Sequence, residues 1–142
     1  MKALHAATAY LAALALAACG GHTHMLIPEE NAPGPTAGVF SHEGREGPTM
    51  VLEFAGKRFE AHGFAIQRNQ NLAELRKRYG SGKHYDRISS GFDSDHYVYS
   101  AEPELRAADG AALRCSMAWR AGGVPVGSCA TSDGAHIEVR FN

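Results

Sequence analysis

Two runs within residues 112–142 alternate between apolar and polar side chains, which is the pattern of β-strands that bury one face. The apolar positions of the two alternating runs are Leu113, Cys115, Met117, Trp119, Ile137, Val139 and Phe141. Ser132-Asp133-Gly134 precedes the second run and supplies residues that tight turns prefer. This part of the chain is therefore constrained to antiparallel strands that share one buried face.

Two turn lengths are compatible with this hairpin, and they place Cys129 on opposite faces of the sheet. A two-residue Asp-Gly loop pairs Cys129 with Glu138 and puts the sulfur on the polar face. A three-residue loop, with Gly134 left-handed in a bulge, pairs Cys129 with Ile137 and turns the sulfur towards the core. Because Cys115 occupies an apolar position of the preceding strand, we expect the three-residue loop.

The chain opens with Met1-Lys2 and then runs from Ala3 to Ala18 without Asp, Glu, Lys or Arg. A positive tip followed by a short apolar segment is typical of a secretory signal, whereas a membrane-spanning helix needs roughly 20 apolar residues. We therefore expect residues 1–18 to be a signal peptide that is removed from the mature protein.

The four residues Leu16-Ala17-Ala18-Cys19 resemble the lipobox of bacterial lipoproteins. The resemblance implies that Cys19 is lipidated, becomes the first mature residue and is held at a membrane by its acyl chains. By the same resemblance, Gly20 implies the outer membrane of a bacterial cell envelope, with the protein facing the periplasm. The alternative is an ordinary signal peptide with a cysteine near its cleavage site.

Removal of residues 1–18 leaves 124 residues with all 15 acidic groups and 13 of the 14 basic groups, a formal charge of −2. Such a chain has no electrostatic basis for binding nucleic acid, and we expect none as a partner.

Cys115 and Cys129 are then the remaining cysteines, and an even pair in an oxidising compartment predicts a disulfide. A bridge that closes a loop of about 15 residues stabilises a domain by about 3 kcal/mol in the chain-entropy model.

The mature chain is predicted to consist of a tether and one small domain. Residues 19–48 hold the lipidated Cys19 and a segment rich in Gly and Pro without an apolar period, which predicts a flexible tether. Such a coil reaches roughly 30 Å on average. Residues 49–142 are predicted to form a β-rich globular domain.

The fold expected for this domain is mainly β, in the α+β class. Residue alternation predicts strands at 49–54 and 57–68, and further strands in HYVYS, ELRA and ALRCSMAWR. A capping box of Asn71 and Glu74, with Gly80 as a stop signal, predicts one short helix. We expect a small antiparallel sheet or partly open barrel with disulfide-linked C-terminal strands.

The C-terminal pattern Leu-x-Cys, Gly-x-Cys and Asp-Gly also resembles the C-terminal half of small, uncharacterised envelope lipoproteins. The residues that carry it are Leu113, Cys115, Gly127, Cys129, Asp133 and Gly134. This resemblance implies a fold class and a cellular address, and it implies no activity.

Histidine is the reactive residue that the mature chain uses most. The positions are His22, His24, His42, His62, His84, His96 and His136. Neutral imidazoles suit Zn and Cu, but the His22-x-His24 pair supplies only two ligands. The loop at Asp93-x-Asp95 has Val98 where a calcium loop needs glycine. We expect no bound metal and no other cofactor.

Catalysis is not indicated by any motif in the sequence. Ser89-Ser90-Gly91 is not the Gly-x-Ser-x-Gly of a nucleophile elbow, and the two domain cysteines are expected to be oxidised. A small domain also leaves little room for a cleft of roughly 300 Å³. We therefore expect no enzymatic activity.

The function expected from the sequence is that of a membrane-anchored envelope lipoprotein with a non-catalytic binding or structural domain. Its partners are the membrane, through the lipid anchor, and an envelope protein or polymer. One alternative is an inhibitor of a host or envelope hydrolase, because Ser90-Gly91 resembles the Ser-Gly loop of lysozyme inhibitors. The other is a periplasmic metal-binding lipoprotein.

Overall fold

The computed structural model describes residues 21–73, 77 and 97–142, and these form an antiparallel, curled half-barrel sheet. The strands of the described residues are β1 His22–Met25, β2 Ala37–His42, β3 Thr49–Phe54, β4 Lys57–His62, β5 Ile66–Gln70, β6 Tyr97–Ala101, β7 Glu104–Arg106, β8 Ala112–Arg120, β9 Val126–Thr131 and β10 His136–Arg140. The predicted mainly β fold class is confirmed.

The sheet runs in the order β1-β2-β3-β4-β7-β8-β6-β5, and β8 also pairs with β9, which pairs with β10. A bridge between Leu26, just after β1, and Phe141, just after β10, joins the β1 end of this order to the end of the β9–β10 branch. The amide of Ile27 donates to the carbonyl of Arg140 at 2.8 Å beside the bridge. The hydrogen-bonded path therefore returns to β8, and the curled sheet encloses its own core.

The prediction of a flexible tether over residues 19–48 is wrong for its described part, residues 21–48, because this part contributes β1 and β2 to the sheet. Leu26 and Phe40 are buried in the common core, and His42 is buried beside them. The domain therefore begins well before residue 49. The periodicity of this segment was hidden because several of its inward positions are histidines, which count as polar.

The predicted strand at 49–54 is confirmed as β3, whereas the predicted strand at 57–68 is two strands, β4 and β5. Gly63 separates them with a φ of 65°, a left-handed conformation that interrupts a strand. Between β3 and β4, Ala55 and Gly56 have φ values of 50° and 73°. Positive φ at both central residues is the type I′ turn of a two-residue hairpin.

The predicted helix after Asn71 falls mostly outside the described residues. Within them, Leu72, Ala73 and Lys77 are helical. The strands expected in HYVYS, ELRA and ALRCSMAWR are confirmed as β6, β7 and β8, the first two with bounds shifted by one residue.

The predicted disulfide joins Cys115 of β8 to Cys129 of β9, and the two residues are directly opposite in the antiparallel register, with Cα atoms 3.9 Å apart. Cys129 also pairs with Ile137 of β10, and Gly134 has a φ of 90°. The three-residue loop is therefore confirmed, and both sulfurs lie in the core. The largest fully buried side chains include Phe40, Met50, Leu52, Leu105, Leu113, Met117, Val139 and Phe141.

Candidate functional site

Three histidines meet on one face of the first two strands. His22 and His24 lie two residues apart on β1, so their side chains point to the same face. The antiparallel register places His22 opposite His42 of β2 and His24 opposite Phe40. Because directly opposed residues share a face, all three imidazoles lie on the same side of the sheet, with His42 buried and His22 exposed.

His24 and His42 are in direct contact through their ring nitrogens. The two Nε2 atoms lie 3.1 Å apart, while the ring centroids are 5.2 Å apart and the ring planes differ by 10°. The rings therefore meet edge to edge. The other nitrogen of His24, Nδ1, lies 2.8 Å from the main-chain oxygen of Asn142. Since this oxygen only accepts, Nδ1 of His24 is the donor and its Nε2 carries a lone pair when the ring is neutral.

Glu43 follows β2 and brings a carboxylate to the other two histidines. Its Oε1 lies 3.7 Å from Nδ1 of His42, and its Oε2 lies 3.3 Å from Nε2 of His22. The backbone of Glu43 has a φ of 62°. A left-handed conformation costs a residue with a side chain roughly 1–2 kcal/mol, so the fold tolerates strain at the residue that faces two imidazoles.

His42 is the buried member of the group. Its ring centroid lies 5.3 Å from that of Trp119 and 6.0 Å from that of Phe40. Burial lowers the pKa of His42 below its ordinary value; the Glu43 carboxylate opposes this shift, and the neighbouring His24 and His22 add to it. The neutral imidazole, which is the form that accepts hydrogen bonds or binds metals, is therefore favoured at this position.

These side chains line an open cavity of about 450 Å³, which we call the histidine pocket. Its wall consists of His22, His24, His42, Glu43, Tyr99, Trp119, Ala121, Gly122, Gly123 and Val124. Tyr99 and Trp119 are paired across β6 and β8, with parallel rings whose centroids are 5.8 Å apart. The volume lies in the range of small-molecule sites, so the expectation that the domain has too little room for a cleft is wrong.

Neither known protein families, nor curated proteins, nor solved structures give a match to this chain. The histidine pocket is therefore interpreted from its own chemistry. It combines imidazole nitrogens and one carboxylate with two aromatic rings, which suits a cation or a small polar molecule with a flat apolar part.

Two features are absent from the described residues. No three side chains among their His, Cys, Asp and Glu are already placed to hold a metal ion together. In the same part of the chain, no helix is both long enough and apolar enough to cross a membrane.

The sequence-predicted residues differ in how far the structure describes them. Cys115 and Cys129 are bonded as expected. Cys19, the predicted lipidation site, lies outside the described residues, as do Ser90-Gly91 and the Asp93-x-Asp95 loop.

Sequence reasoning singled out the pair of His22 and His24 but missed His42 as their partner. The available signal was the alternation of Gly38, Phe40 and His42, which marks His42 as an inward residue once a strand is assumed there. Nothing local in the sequence indicates which strand pairs with β1.

Proposed function

We propose that this protein is a membrane-anchored lipoprotein of the bacterial envelope whose β domain binds a ligand in the histidine pocket without catalysing a reaction. Acyl chains on Cys19 hold it at the bilayer, in the outer membrane and facing the periplasm. The observation that carries the proposal is the short distance along the chain between Cys19 and the pocket, whose first residue is His22.

The folded domain begins almost directly after the proposed anchor. Gly21 lies so close to the end of β2 that a Cβ there would approach the nitrogen of Gly44 to 2.5 Å and the carbonyl oxygen of His42 to 2.6 Å. Only glycine permits this approach, and it fixes Gly21 against the domain. The two residue steps from Cys19 to Gly21 span at most about 7 Å. An acylated Cys19 therefore keeps the pocket near the lipid headgroups.

The side chains of the pocket favour binding over catalysis. Its polar side chains are three imidazoles, the Glu43 carboxylate and the Tyr99 hydroxyl, and its described lining has no serine, threonine, cysteine or lysine. Its imidazoles are engaged with one another, with Glu43 and with the main chain. Such a pre-formed arrangement is typical of a site that fixes a ligand by a few polar groups.

Metabolic labelling with an alkyne analogue of palmitate in a bacterial host tests the anchor. We expect label on the wild-type chain and on a Leu11→Ile control, which lies in the apolar run outside the lipobox. Cys19→Ala is expected to give an unlabelled, uncleaved precursor. Label on Cys19→Ala equal to that on the wild type would reject the anchor.

The position of the pocket has its own test, because Trp119 is the chain's single tryptophan. In vesicles with spin-labelled headgroups, we expect quenching of its fluorescence in the acylated protein. Insertion of a 15-residue Gly-Ser linker after Gly20 extends the reach by about 20 Å and is expected to relieve the quenching. Equal emission with and without the linker would contradict a pocket close to the bilayer.

A further inference from the structure

The ring nitrogens of His24 and His42 are arranged as in metal-binding histidines. Such a histidine donates its second N–H to a carbonyl or carboxylate, which fixes the tautomer and leaves the other nitrogen free to bind. Nδ1 of His24 has the main-chain oxygen of Asn142 at 2.8 Å, within hydrogen-bond distance, and Nδ1 of His42 faces the Glu43 carboxylate at 3.7 Å, which is beyond it. A hydrogen bond fixes the tautomer of His24, a carboxylate stands near Nδ1 of His42, and the two rings present Nε2 to the same point.

The two Nε2 atoms are close enough to share either one proton or one metal ion. When His42 carries its proton on Nε2, that N–H donates to the lone pair of His24 Nε2 across 3.1 Å; when the proton is on Nδ1 or lost to solvent, both Nε2 atoms offer lone pairs to an ion. Two nitrogens bound to one tetrahedral zinc at 2.0–2.1 Å lie about 3.3 Å apart. The observed distance is close to this value, so an ion can contact both nitrogens with only small side-chain adjustments.

We propose that His24 Nε2 and His42 Nε2 bind one divalent transition-metal ion, Cu²⁺ or Zn²⁺, with His22 as the third protein ligand. His22 is not yet in position, since its Nε2 lies 3.3 Å from Oε2 of Glu43, but its side chain is 68% exposed and free to turn. Water or a ligand group in the pocket completes the coordination. Imidazole ligands favour these ions over Mg²⁺ and Ca²⁺, which prefer oxygen.

This inference names the ligand class of the proposed binding pocket and rests on that part of the proposed function, but it does not depend on the lipid anchor. It also gives Glu43 a role. A carboxylate behind a metal-bound imidazole raises the basicity of the ligand, which offers a reason for the left-handed backbone at this residue. Tyr99 and Trp119 then form the wall of the pocket that faces the open side of the ion.

Copper titration of the untagged full chain in detergent, after removal of metals with a chelator, tests the proposal. The ring centroid of Trp119 lies 5.3 Å from that of His42, so bound Cu²⁺, which quenches nearby indoles, is expected to quench its fluorescence. We expect saturation at one equivalent and reversal by competing Zn²⁺. Electron paramagnetic resonance of the copper form is expected to give hyperfine coupling to at least two imidazole nitrogens.

Variants separate this site from adventitious binding to surface histidines. His24→Ala is expected to weaken Cu²⁺ binding by more than about tenfold, because removal even of a group that only hydrogen-bonds to a metal ligand costs about that much. His136→Ala, a matched change at an exposed histidine of β10, is expected to bind as the wild type does. His42→Gln provides a second variant, with circular dichroism as the check that the buried position still folds.

Two results would overturn the metal site. One is a Cu²⁺ titration of the wild type that does not saturate at one equivalent. A shared proton, rather than a metal ion, would then account for the contact between the rings of His24 and His42. The other is equal affinity of the wild type and His24→Ala. Measurement on Cys19→Ala separates the proposals, because it lacks the anchor and is expected to bind Cu²⁺ with unchanged affinity. If Cu²⁺ does not bind, the metal site is rejected, and palmitate labelling of the wild type still supports the anchor. If the wild type is not labelled, the anchor is rejected, and Cu²⁺ binding still supports the metal site.

Discussion

Leu26 and Phe141 form an antiparallel bridge that joins the end of β1 to the end of β10. Both side chains are buried, Leu26 at 8% and Phe141 at 1% exposure. The bridge brings together residues from opposite ends of the described chain. The N-terminal strand is therefore part of the core, and its loss opens the sheet.

Truncation of either side chain of this bridge is expected to destabilise the whole domain. Phe141→Ala is expected to lower the free energy of unfolding by about 3–5 kcal/mol and Leu26→Ala by about 2–5 kcal/mol, because both leave cavities in the core. Urea unfolding followed by circular dichroism gives these values. Met25→Ala, at a residue that is 52% exposed, is the control and is expected to change the value by less than about 0.5 kcal/mol. A Phe141→Ala domain as stable as this control would contradict the closure of the sheet.

Gly127 of β9 is expected to tolerate no side chain. A Cβ there would lie 2.0 Å from the carbonyl oxygen of Ser116 and 2.8 Å from Sδ of Met117 on β8. Gly127→Ala is therefore expected to cost about 3 kcal/mol or more, since β8 and β9 must separate to admit it. Gly34→Ala serves as the control, because an added Cβ at Gly34 has no atom within 4 Å. Thermal unfolding compares the two variants, and similar melting temperatures would be inconsistent with the close approach at Gly127.

Loss of the disulfide is expected to lower the free energy of unfolding by about 3 kcal/mol, because the bridge restricts the unfolded chain. The measurement is the denaturant midpoint of the Cys115→Ala/Cys129→Ala double variant against that of the oxidised protein. Both cysteines are buried, so the variant also removes two sulfurs from the core, and the expected figure is a minimum. An unchanged midpoint would show that the bridge contributes nothing to stability.

Asp109, in the turn between β7 and β8, is expected to titrate below its ordinary range. Hydrogen bonding to Lys57 at 2.6 Å, and then to the amide of Ala111 at 3.0 Å, lowers the pKa of the Asp109 carboxyl. A lowered pKa in the folded state stabilises the domain above the ordinary pKa of aspartate, and this contribution is lost as the pH falls through the folded value. Carboxyl carbon NMR of Lys57→Met is expected to report a pKa raised towards the ordinary value. Arg45→Met is the control, and an unshifted Asp109 in Lys57→Met would contradict the ion pair.

The C-terminal half of the fold was predictable because its information is local. Alternation in β8 and β10 marks the buried faces, and the inward position of Cys115 selects between two turn lengths around Gly134. The register of Cys129 with Ile137 then follows from the length of the turn. Turn chemistry and a period of two suffice for strands that are neighbours in sequence.

The N-terminal half was not predictable in the same way, because the pocket-facing positions of its first two strands are His22, His24 and His42. These histidines break the apolar period that identifies a strand, and the pairing that brings His24 to His42 spans 18 residues of sequence. A departure from the expected pattern at a candidate site is typical of residues kept for a purpose other than packing. The segment that resembled a tether is the one that builds the histidine pocket.

Mass spectrometry of the N-terminal peptide of the native protein, isolated from bacterial envelopes, tests the membrane anchor most directly. We predict a peptide that begins at Cys19 and carries a thioether-linked diacylglyceryl group together with an amide-linked acyl chain. An unmodified cysteine, or a mature chain that begins at another residue, would contradict the anchor and with it the position of the histidine pocket at the bilayer surface.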